Sequence, residues 1–118
     1  MKITTKTNKN APVYISGPIS SLIALGVDWR HPFIGAEDAL RRLGFSSIKS
    51  PVYIAEEVEV QCKEEGRIPS YADYMKADIA ELLKCKTVLM LKGWEGSKGA
   101  RLEYEIADAL HLEVLYER

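Results

Sequence analysis

Thr87-Val-Leu-Met-Leu91 is a continuous run of apolar and β-branched residues that leads into the turn sequence Gly93-Trp-Glu-Gly-Ser97. A run without polar alternation is typical of a strand that is covered on both faces. Residues 98–110 then show the apolar spacing of a helix, and residues 112–116 form a last β-rich segment. Strand, helix and strand in this order predict two parallel strands joined by a crossover helix.

The same alternation extends toward the N-terminus. Further strands are predicted at residues 12–16 and 45–50, and further helices at residues 32–43 and 70–84. The long connection over residues 51–69 is predicted to be a lid with a short helix or a binding loop. The whole pattern predicts an α/β fold, a three-layer doubly wound parallel sheet of about four to five strands, flavodoxin- or Rossmann-like. The simplest strand order is 2-1-3-4.

The composition limits the class of partner. In 118 residues, 16 Lys and Arg balance 17 Asp and Glu, which leaves a net charge of -1. Nucleic acid and an anionic membrane are therefore not expected partners, whereas a small molecule or a second copy of the chain is. We expect a flexible tail over residues 1–10 and a single domain over residues 11–118. Because neither a membrane span nor a signal peptide is recognisable, we expect a cytoplasmic protein.

Cysteine and histidine are too few and too scattered for a zinc site or a disulfide framework. Cys62 and Cys85 lie far apart in the sequence, and the histidines are His31 and His111. Two reduced thiols and no metal are therefore expected. The chain contains neither GxGxxG nor GxxxxGK[ST], so a dinucleotide site or a P-loop is not predicted.

Candidate ligand contacts follow the first and third strands, because such sheets bind ligands beyond the carboxyl ends of their strands. Ser16-Gly17-Pro18 is either a phosphate or sugar contact or a tight turn. Ser97-Lys98-Gly99 opens the last helix and offers free amides to an anion, although Ser97 can instead be only a helix cap. Four aromatic residues can stack on a flat base or belong to the core: Trp29, Tyr71, Tyr74 and Trp94.

Glu103 lies within the apolar stripe of the last helix. At about 100° per residue it shares a face with Ala100, Ile106 and Ala107, whereas Glu105 points to the opposite side. A carboxylate on a core-facing stripe is costly to desolvate unless it is paired or lines a cavity. Glu103 is therefore a candidate catalytic carboxylate, or alternatively a residue that bonds a loop amide.

Asp78 repeats this arrangement on the preceding helix. It follows Tyr71, Tyr74 and Met75 at helical spacing and so is placed among aromatic and apolar neighbours. Two inward carboxylates on neighbouring helices can supply a nucleophile and an acid/base. The alternative is that Asp78 is a buried cap or one partner of a salt bridge.

Four motifs resemble a phage and prophage family that is itself similar to the nucleoside 2-deoxyribosyltransferases and the 2'-deoxynucleoside 5'-monophosphate N-glycosidases. They are Tyr14-Ile-Ser-Gly-Pro18, Trp29-Arg-His-Pro-Phe33, Tyr74-Met-x-x-Asp78-Ile-x-x-Leu-Leu-x-Cys85 and Gly93-Trp-Glu-x-Ser97-x-Gly-Ala-x-x-Glu103-x-x-x-Ala107. The resemblance covers residues 13–116 and implies a nucleoside 2-deoxyribosyltransferase-like fold. In the characterised relatives, the glutamate of the last motif attacks the anomeric carbon of the sugar, and an aspartate on the preceding helix assists. By position, these residues are Glu103 and Asp78.

The resemblance implies cleavage of the N-glycosidic bond of a 2'-deoxynucleoside or its 5'-monophosphate, with water or another base as the acceptor. Since a carboxylate supplies both the nucleophile and a nearby negative charge, neither a metal nor an organic cofactor is implied. The relatives complete their pockets between subunits, so a homodimer or higher even-numbered oligomer is expected. The expected substrate contacts are Ser16, Gly17, Pro18, Tyr74, Gly93, Trp94, Ser97 and Gly99.

Two other classes of function remain open at the level of the sequence. One is a protein that binds or sequesters a nucleotide without catalysis, and the other is a structural oligomer with a vestigial pocket. Incubation with deoxynucleosides and their monophosphates, followed by chromatography for free base, separates these classes from an enzyme.

Overall fold

The computed structural model of the chain describes residues 7–117. In this range the protein has four strands and five α-helices, with a 3-10 turn at Trp94–Gly96. The strands are β1 (Val13–Ser16), β2 (Ile48–Lys49), β3 (Thr87–Met90) and β4 (Glu113–Tyr116). The helices are α1 (Ser20–Ala24), α2 (Arg30–Arg42), α3 (Pro51–Glu64), α4 (Tyr71–Leu82) and α5 (Lys98–Ala109).

The sheet is parallel throughout, and its strand order is β2-β1-β3-β4. Both the predicted fold class and the predicted order are therefore confirmed. The two central strands pair along their full length, from Val13 opposite Thr87 to Ser16 opposite Met90. Their carboxyl ends lie side by side, so the segments that follow them meet at one edge of the sheet.

Apolar clusters cover both faces of the sheet. Along β1, Val13 and Ile15 belong to one cluster and Tyr14 to the other, as the period of two in a strand requires. Helix α2 covers the first face through Phe33, Ala36 and Leu40. Helices α4 and α5 cover the second face through Leu82, Ala100 and Ala107. The central strands are thus buried on both sides, as the apolar run over residues 87–91 predicts.

The prediction for residues 51–69 was wrong for most of that segment. Instead of a lid or a binding loop, the chain forms α3, a helix of 14 residues. Ser50 caps this helix by accepting a hydrogen bond from the amide of Val52 at 3.3 Å, and Pro51 fits its first turn. Its buried residues lie mostly at three- and four-residue spacing, on the side that faces the core: Pro51, Val52, Ile54, Ala55, Val58 and Cys62.

Two other elements differ from their predicted extent. The second strand was predicted over residues 45–50, but only Ile48–Lys49 pair with β1. The aperiodic segment before the first predicted helix contains α1, which buries none of its residues. That helix of five residues therefore lies on the surface beside the end of β1.

The start of α4 follows its capping signature. The hydroxyl of Ser70 accepts a bond from the amide of Asp73, and the Asp73 carboxylate accepts bonds from the amide and hydroxyl of Ser70. Arg67 adds an ion pair with Asp73 at 2.7 Å, and the pKa of that carboxyl falls well below its usual range as a result of these bonds. This reciprocal cap fixes the point at which the helix that carries Asp78 begins.

Part of the predicted N-terminal tail packs on the domain. Thr7 is buried and donates a hydrogen bond to Glu113 on β4, and the amide of Ser46 donates to the carbonyl of Lys9. Residues 1–6 of that tail lie outside the described range. Among the described helices, none is both long and apolar enough to cross a bilayer.

Candidate active site

A cavity of about 380 Å³ opens where the segments after β1 and β3 meet. Its walls come from the turn after β1, helix α1, the start of α2, and helices α3, α4 and α5. This is the expected position for a ligand in a parallel sheet of this order. The residues that line it and enter the argument below are Gly17, Ile23, Trp29, Arg30, Glu59, Tyr71, Tyr74, Asp78, Ser97, Gly99 and Glu103.

Glu103 lies at the inner end of the cavity with only 4% of its surface exposed. Tyr14 donates its phenolic hydrogen to Oε2 of Glu103 at 2.7 Å, and Ser16 donates its hydroxyl hydrogen to Oε1 at 2.6 Å. Burial raises the pKa of Glu103 to about 6, although both hydrogen bonds favour the ionised form. The carboxylate is therefore held at both oxygens and is largely ionised at neutral pH.

Tyr14 is a site residue that the sequence reasoning missed. It is fully buried, and burial together with the adjacent Glu103 charge raises its pKa well above the usual value, so it remains a donor. A signal was present in the sequence, because Tyr14 and Ser16 occupy alternate positions of a predicted strand. Side chains two residues apart face the same side of a sheet, which brings both hydroxyls to one carboxylate.

Asp78 is the second buried carboxyl group of the cavity. It is 7% exposed, and burial, followed by the negative charge of Glu103, raises its pKa to about 8. None of the ion pairs among residues 7–117 includes Asp78, so the structure offers no support for the alternative of a salt-bridge partner. At neutral pH the site therefore pairs a protonated carboxyl with an ionised one.

Four of the predicted substrate contacts line the cavity: Gly17, Tyr74, Ser97 and Gly99. Gly17 packs so closely on Leu91 that an added Cβ would lie 2.8 Å from the Leu91 Cβ atom. Ser97 accepts a hydrogen bond from the amide of Ala100 at 3.2 Å, so it caps α5 and also faces the cavity. Ser16 does not line the cavity, but it donates a hydrogen bond to Glu103, which does.

Pro18, Gly93 and Trp94 are not among the residues that line the cavity. Gly93 has a φ of 86°, a left-handed conformation that favours glycine, and it shapes the turn after β3. Pro18 lies beside it, within 3.5 Å of the position of an added Gly93 Cβ. Trp94 stacks on Tyr104 with ring centroids 4.8 Å apart. These three residues therefore support the turns around the cavity instead of forming its wall.

Arg30 and Glu59 line the cavity but were not singled out from the sequence. Arg30 opens α2 and lies 4.7 Å from the centre of the Trp29 ring. Glu59 on α3 accepts a hydrogen bond from the hydroxyl of Tyr74 on α4 at 3.0 Å. No sequence pattern links these residues, because helix packing alone brings them together.

The cavity contains no evident metal site. Within residues 7–117, no three His, Cys, Asp or Glu side chains come together in a way that could hold a metal ion. The expectation of a reaction without a metal or a cofactor remains a prediction.

Comparison with known proteins identifies a family. The family model described as "Domain of unknown function (DUF4406)" matches residues 11–116 of the chain. No curated protein and no solved structure matches the sequence.

The raised pKa of Asp78 predicts a specific dependence of stability on pH. Between its ordinary value of 3.8 and about 8, the folded protein retains a proton that the unfolded chain has lost. The free energy of unfolding should therefore decrease as the pH rises through this window. Asp78→Asn removes this contribution, so we expect the variant to be more stable than the wild type by at least about 1 kcal/mol at pH 9, and by less at pH 4.

Urea unfolding at the two pH values measures this difference. Asp108→Asn is the matched control, because Asp108 is exposed on α5 and outside the cavity. Equal pH dependence in the wild type and Asp78→Asn would contradict protonation of Asp78 in the folded protein.

Proposed function

The chain belongs to the DUF4406 family, and we propose that it cleaves the N-glycosidic bond of a 2'-deoxynucleoside or its 5'-monophosphate. The observation that carries the proposal is the buried Glu103, bonded at both oxygens and placed with Asp78 in one cavity. An oriented carboxylate beside a protonated carboxyl is the pair that retaining glycosidases use. The motif resemblance to deoxyribosyltransferases and N-glycosidases adds support to the same chemistry.

Glu103 is the nucleophile in the first step. One carboxylate oxygen attacks C1' of the sugar, the C1'–N bond breaks, and its electron pair moves to the base nitrogen. The positive charge that develops on the sugar is stabilised by the adjacent carboxylate. Tyr14 and Ser16 fix the orientation of Glu103, which lowers the entropy cost of reaching the attacking geometry.

Asp78 is the proton donor to the departing base. Its carboxyl retains its proton at neutral pH because burial and the Glu103 charge raise its pKa to about 8. Transfer of that proton neutralises the leaving group while Asp78 becomes ionised. The products of this half-reaction are the free base and a deoxyribosyl ester of Glu103.

The second step reverses these roles. Water gives its proton to ionised Asp78 and attacks C1', and the ester bond to Glu103 breaks with its electron pair returning to the carboxylate. Deoxyribose or its 5'-phosphate is released, and both carboxyl groups regain their starting state. If a second base attacks instead of water, the product is a new deoxynucleoside and the protein is a transferase.

The walls of the cavity suit such a substrate. Its volume of about 380 Å³ is within the usual range for small-molecule sites, which begins near 300 Å³. Trp29, Tyr71 and Tyr74 provide aromatic surface for a flat base. Ser97 and Gly99, at the N-terminal end of α5, place amides and a hydroxyl near the inner carboxylates for a sugar or a phosphate.

The role of Glu103 is tested by two glutamine substitutions on the same helix, one at Glu103 and one at Glu105. Glu103→Gln removes the nucleophile, so we expect release of free base to fall by about a thousandfold or more. Glu105→Gln, on the exposed side of α5, should retain nearly full activity. Chromatography of reactions with deoxynucleosides and their monophosphates measures both.

A slow 2'-fluoro-substituted substrate should trap the covalent intermediate and so provides an independent test. Mass spectrometry should find the sugar on the peptide that contains Glu103. Equal turnover by the wild type and Glu103→Gln would refute this mechanism, and binding without turnover by the wild type would favour a nucleotide-binding protein.

The two raised pKa values predict a bell-shaped pH profile. Activity requires ionised Glu103 and protonated Asp78, so kcat/KM should rise as the pH passes about 6 and fall as it passes about 8. Tyr14→Phe removes a bond that favours ionised Glu103, so its acidic limb should move to higher pH. An unchanged acidic limb in Tyr14→Phe would show that the limb does not report the titration of Glu103.

We propose that the active form is a homodimer or a higher even-numbered oligomer. Ile23 and Tyr71 line the cavity, yet they remain 57% and 52% exposed in the single chain. Apolar surface at the rim of a site is well suited to contact with another copy. Light scattering at the assay concentration should show the oligomer, and dilution should reduce its mass and its specific activity together. A fully active monomer would contradict this proposal.

A further inference from the structure

Three polar side chains at the cavity take no part in the bond-breaking steps above. Arg30, Glu59 and Tyr74 come from three different helices, α2, α3 and α4, and all three line the cavity. Tyr74 donates its hydroxyl hydrogen to Oε2 of Glu59 at 3.0 Å. Burial and this bond raise the pKa of Tyr74, while the positive charge of Arg30 acts in the opposite direction. Both charges are therefore close to the same hydroxyl.

Arg30 is held in place without an acidic partner. Of the described residues that line the cavity, it is the only cation, and no ion pair among residues 7–117 includes it. Its guanidinium carbon lies 4.7 Å from the centre of the Trp29 ring. That ring is 8% exposed and packs edge-on against Phe33, so the core fixes its position. Arg30, which lines the cavity, thus carries a fork of N–H donors that is paired with no carboxylate among residues 7–117.

Glu59 offers hydrogen-bond acceptors where Arg30 offers donors. One of its oxygens is occupied by Tyr74, and an ionised carboxylate has further acceptor capacity on both oxygens. Within the described chain, no ion pair joins Glu59 to Arg30, although both side chains line the same cavity. A ligand that pairs with both side chains must offer two hydrogen-bond acceptors to the guanidinium of Arg30 and N–H donors to the carboxylate of Glu59.

We propose that Arg30 and Glu59 read the base and select a 6-oxopurine, guanine or hypoxanthine. This inference rests on the proposed function, since it names the substrate class of the same cavity. The O6 and N7 atoms of a 6-oxopurine accept a bidentate pair of hydrogen bonds from Arg30. Its N1–H, with the 2-amino group in guanine, donates to Glu59. Tyr74 keeps the carboxylate oriented toward the base.

The other bases fit this pair less well. Adenine and cytosine direct an exocyclic amino group at a donor, and adenine N1 meets Glu59 as acceptor against acceptor. Thymine and uracil offer O4 and N3–H, but they have no second acceptor where a purine has N7. A site built for specific hydrogen bonds rejects ligands that leave those groups unpaired.

Binding to the Glu103→Gln variant tests base selection without turnover. By calorimetry, deoxyguanosine and deoxyinosine should bind about tenfold or more tightly than deoxyadenosine or deoxycytidine, and the same order should hold among the four 5'-monophosphates. Adding Arg30→Met or Glu59→Gln to that variant should reduce the preference to within about threefold. The matched controls Arg42→Met and Glu57→Gln change exposed residues of the same helices outside the cavity and should leave the preference intact. Circular dichroism melts verify that each variant is folded.

Two results would overturn the inference. One is equal affinity for all bases. The other is an Arg30→Met variant that weakens the binding of monophosphates only, and does so equally for every base, which would make Arg30 a phosphate contact. The outcome is separable from that of the proposed function. If the wild type prefers certain bases but shows no turnover, base selection by Arg30 and Glu59 is supported and the proposed cleavage reaction is refuted. If it shows turnover without base preference, the cleavage reaction is supported and base selection is refuted.

Discussion

The burial of a carboxylate at Glu103 constrains everything around it, because a charge in this position needs polar partners at both oxygens. Strand β1 supplies them through Tyr14 and Ser16, which share one face because they are two residues apart. The residue between them, Ile15, belongs to the apolar cluster on the other face. A slip of one residue in the register of β1 would therefore place apolar side chains against the carboxylate and a phenol in the opposite core.

The two carboxyl groups differ because their surroundings differ. Glu103 receives two hydroxyl donors, which partly offset its desolvation, whereas Asp78 is buried and faces the negative charge of Glu103. Asp78 consequently holds its proton more tightly than Glu103 does. One site therefore contains both an acid and a base. Such an arrangement lowers the stability of the fold near neutral pH, so the surrounding elements have to be firmly positioned. The reciprocal cap between Ser70 and Asp73 serves this purpose for the helix that carries Asp78.

Sequence reasoning could place Glu103 and Asp78 because α4 and α5 are regular helices with clear caps and a consistent angle per residue. The strand order followed from the alternation of strands and helices. Helix α3 escaped detection because the exposed Tyr53 and Val60 add apolar residues outside its buried face, which weakens the apolar period of the segment. The pairing of Tyr74 with Glu59 was also beyond the sequence, because only the packing of α3 against α4 brings them together. Trp94 could not be separated from the cavity aromatics, since stacking on Tyr104 depends on the path of the turn after β3.

The groups assigned to bond cleavage and those assigned to selection of the base belong to different layers of the site. The groups assigned to bond cleavage lie against the sheet, on β1, α4 and α5, where burial is nearly complete and a change of position would disturb the core. Arg30 and Glu59 lie on α2 and α3 and are more exposed, so substitutions there carry a smaller penalty for the fold. Selectivity for the base can therefore change without alteration of the carboxylates. A relative with the same strand β1 and the same inward acids can accept a different base.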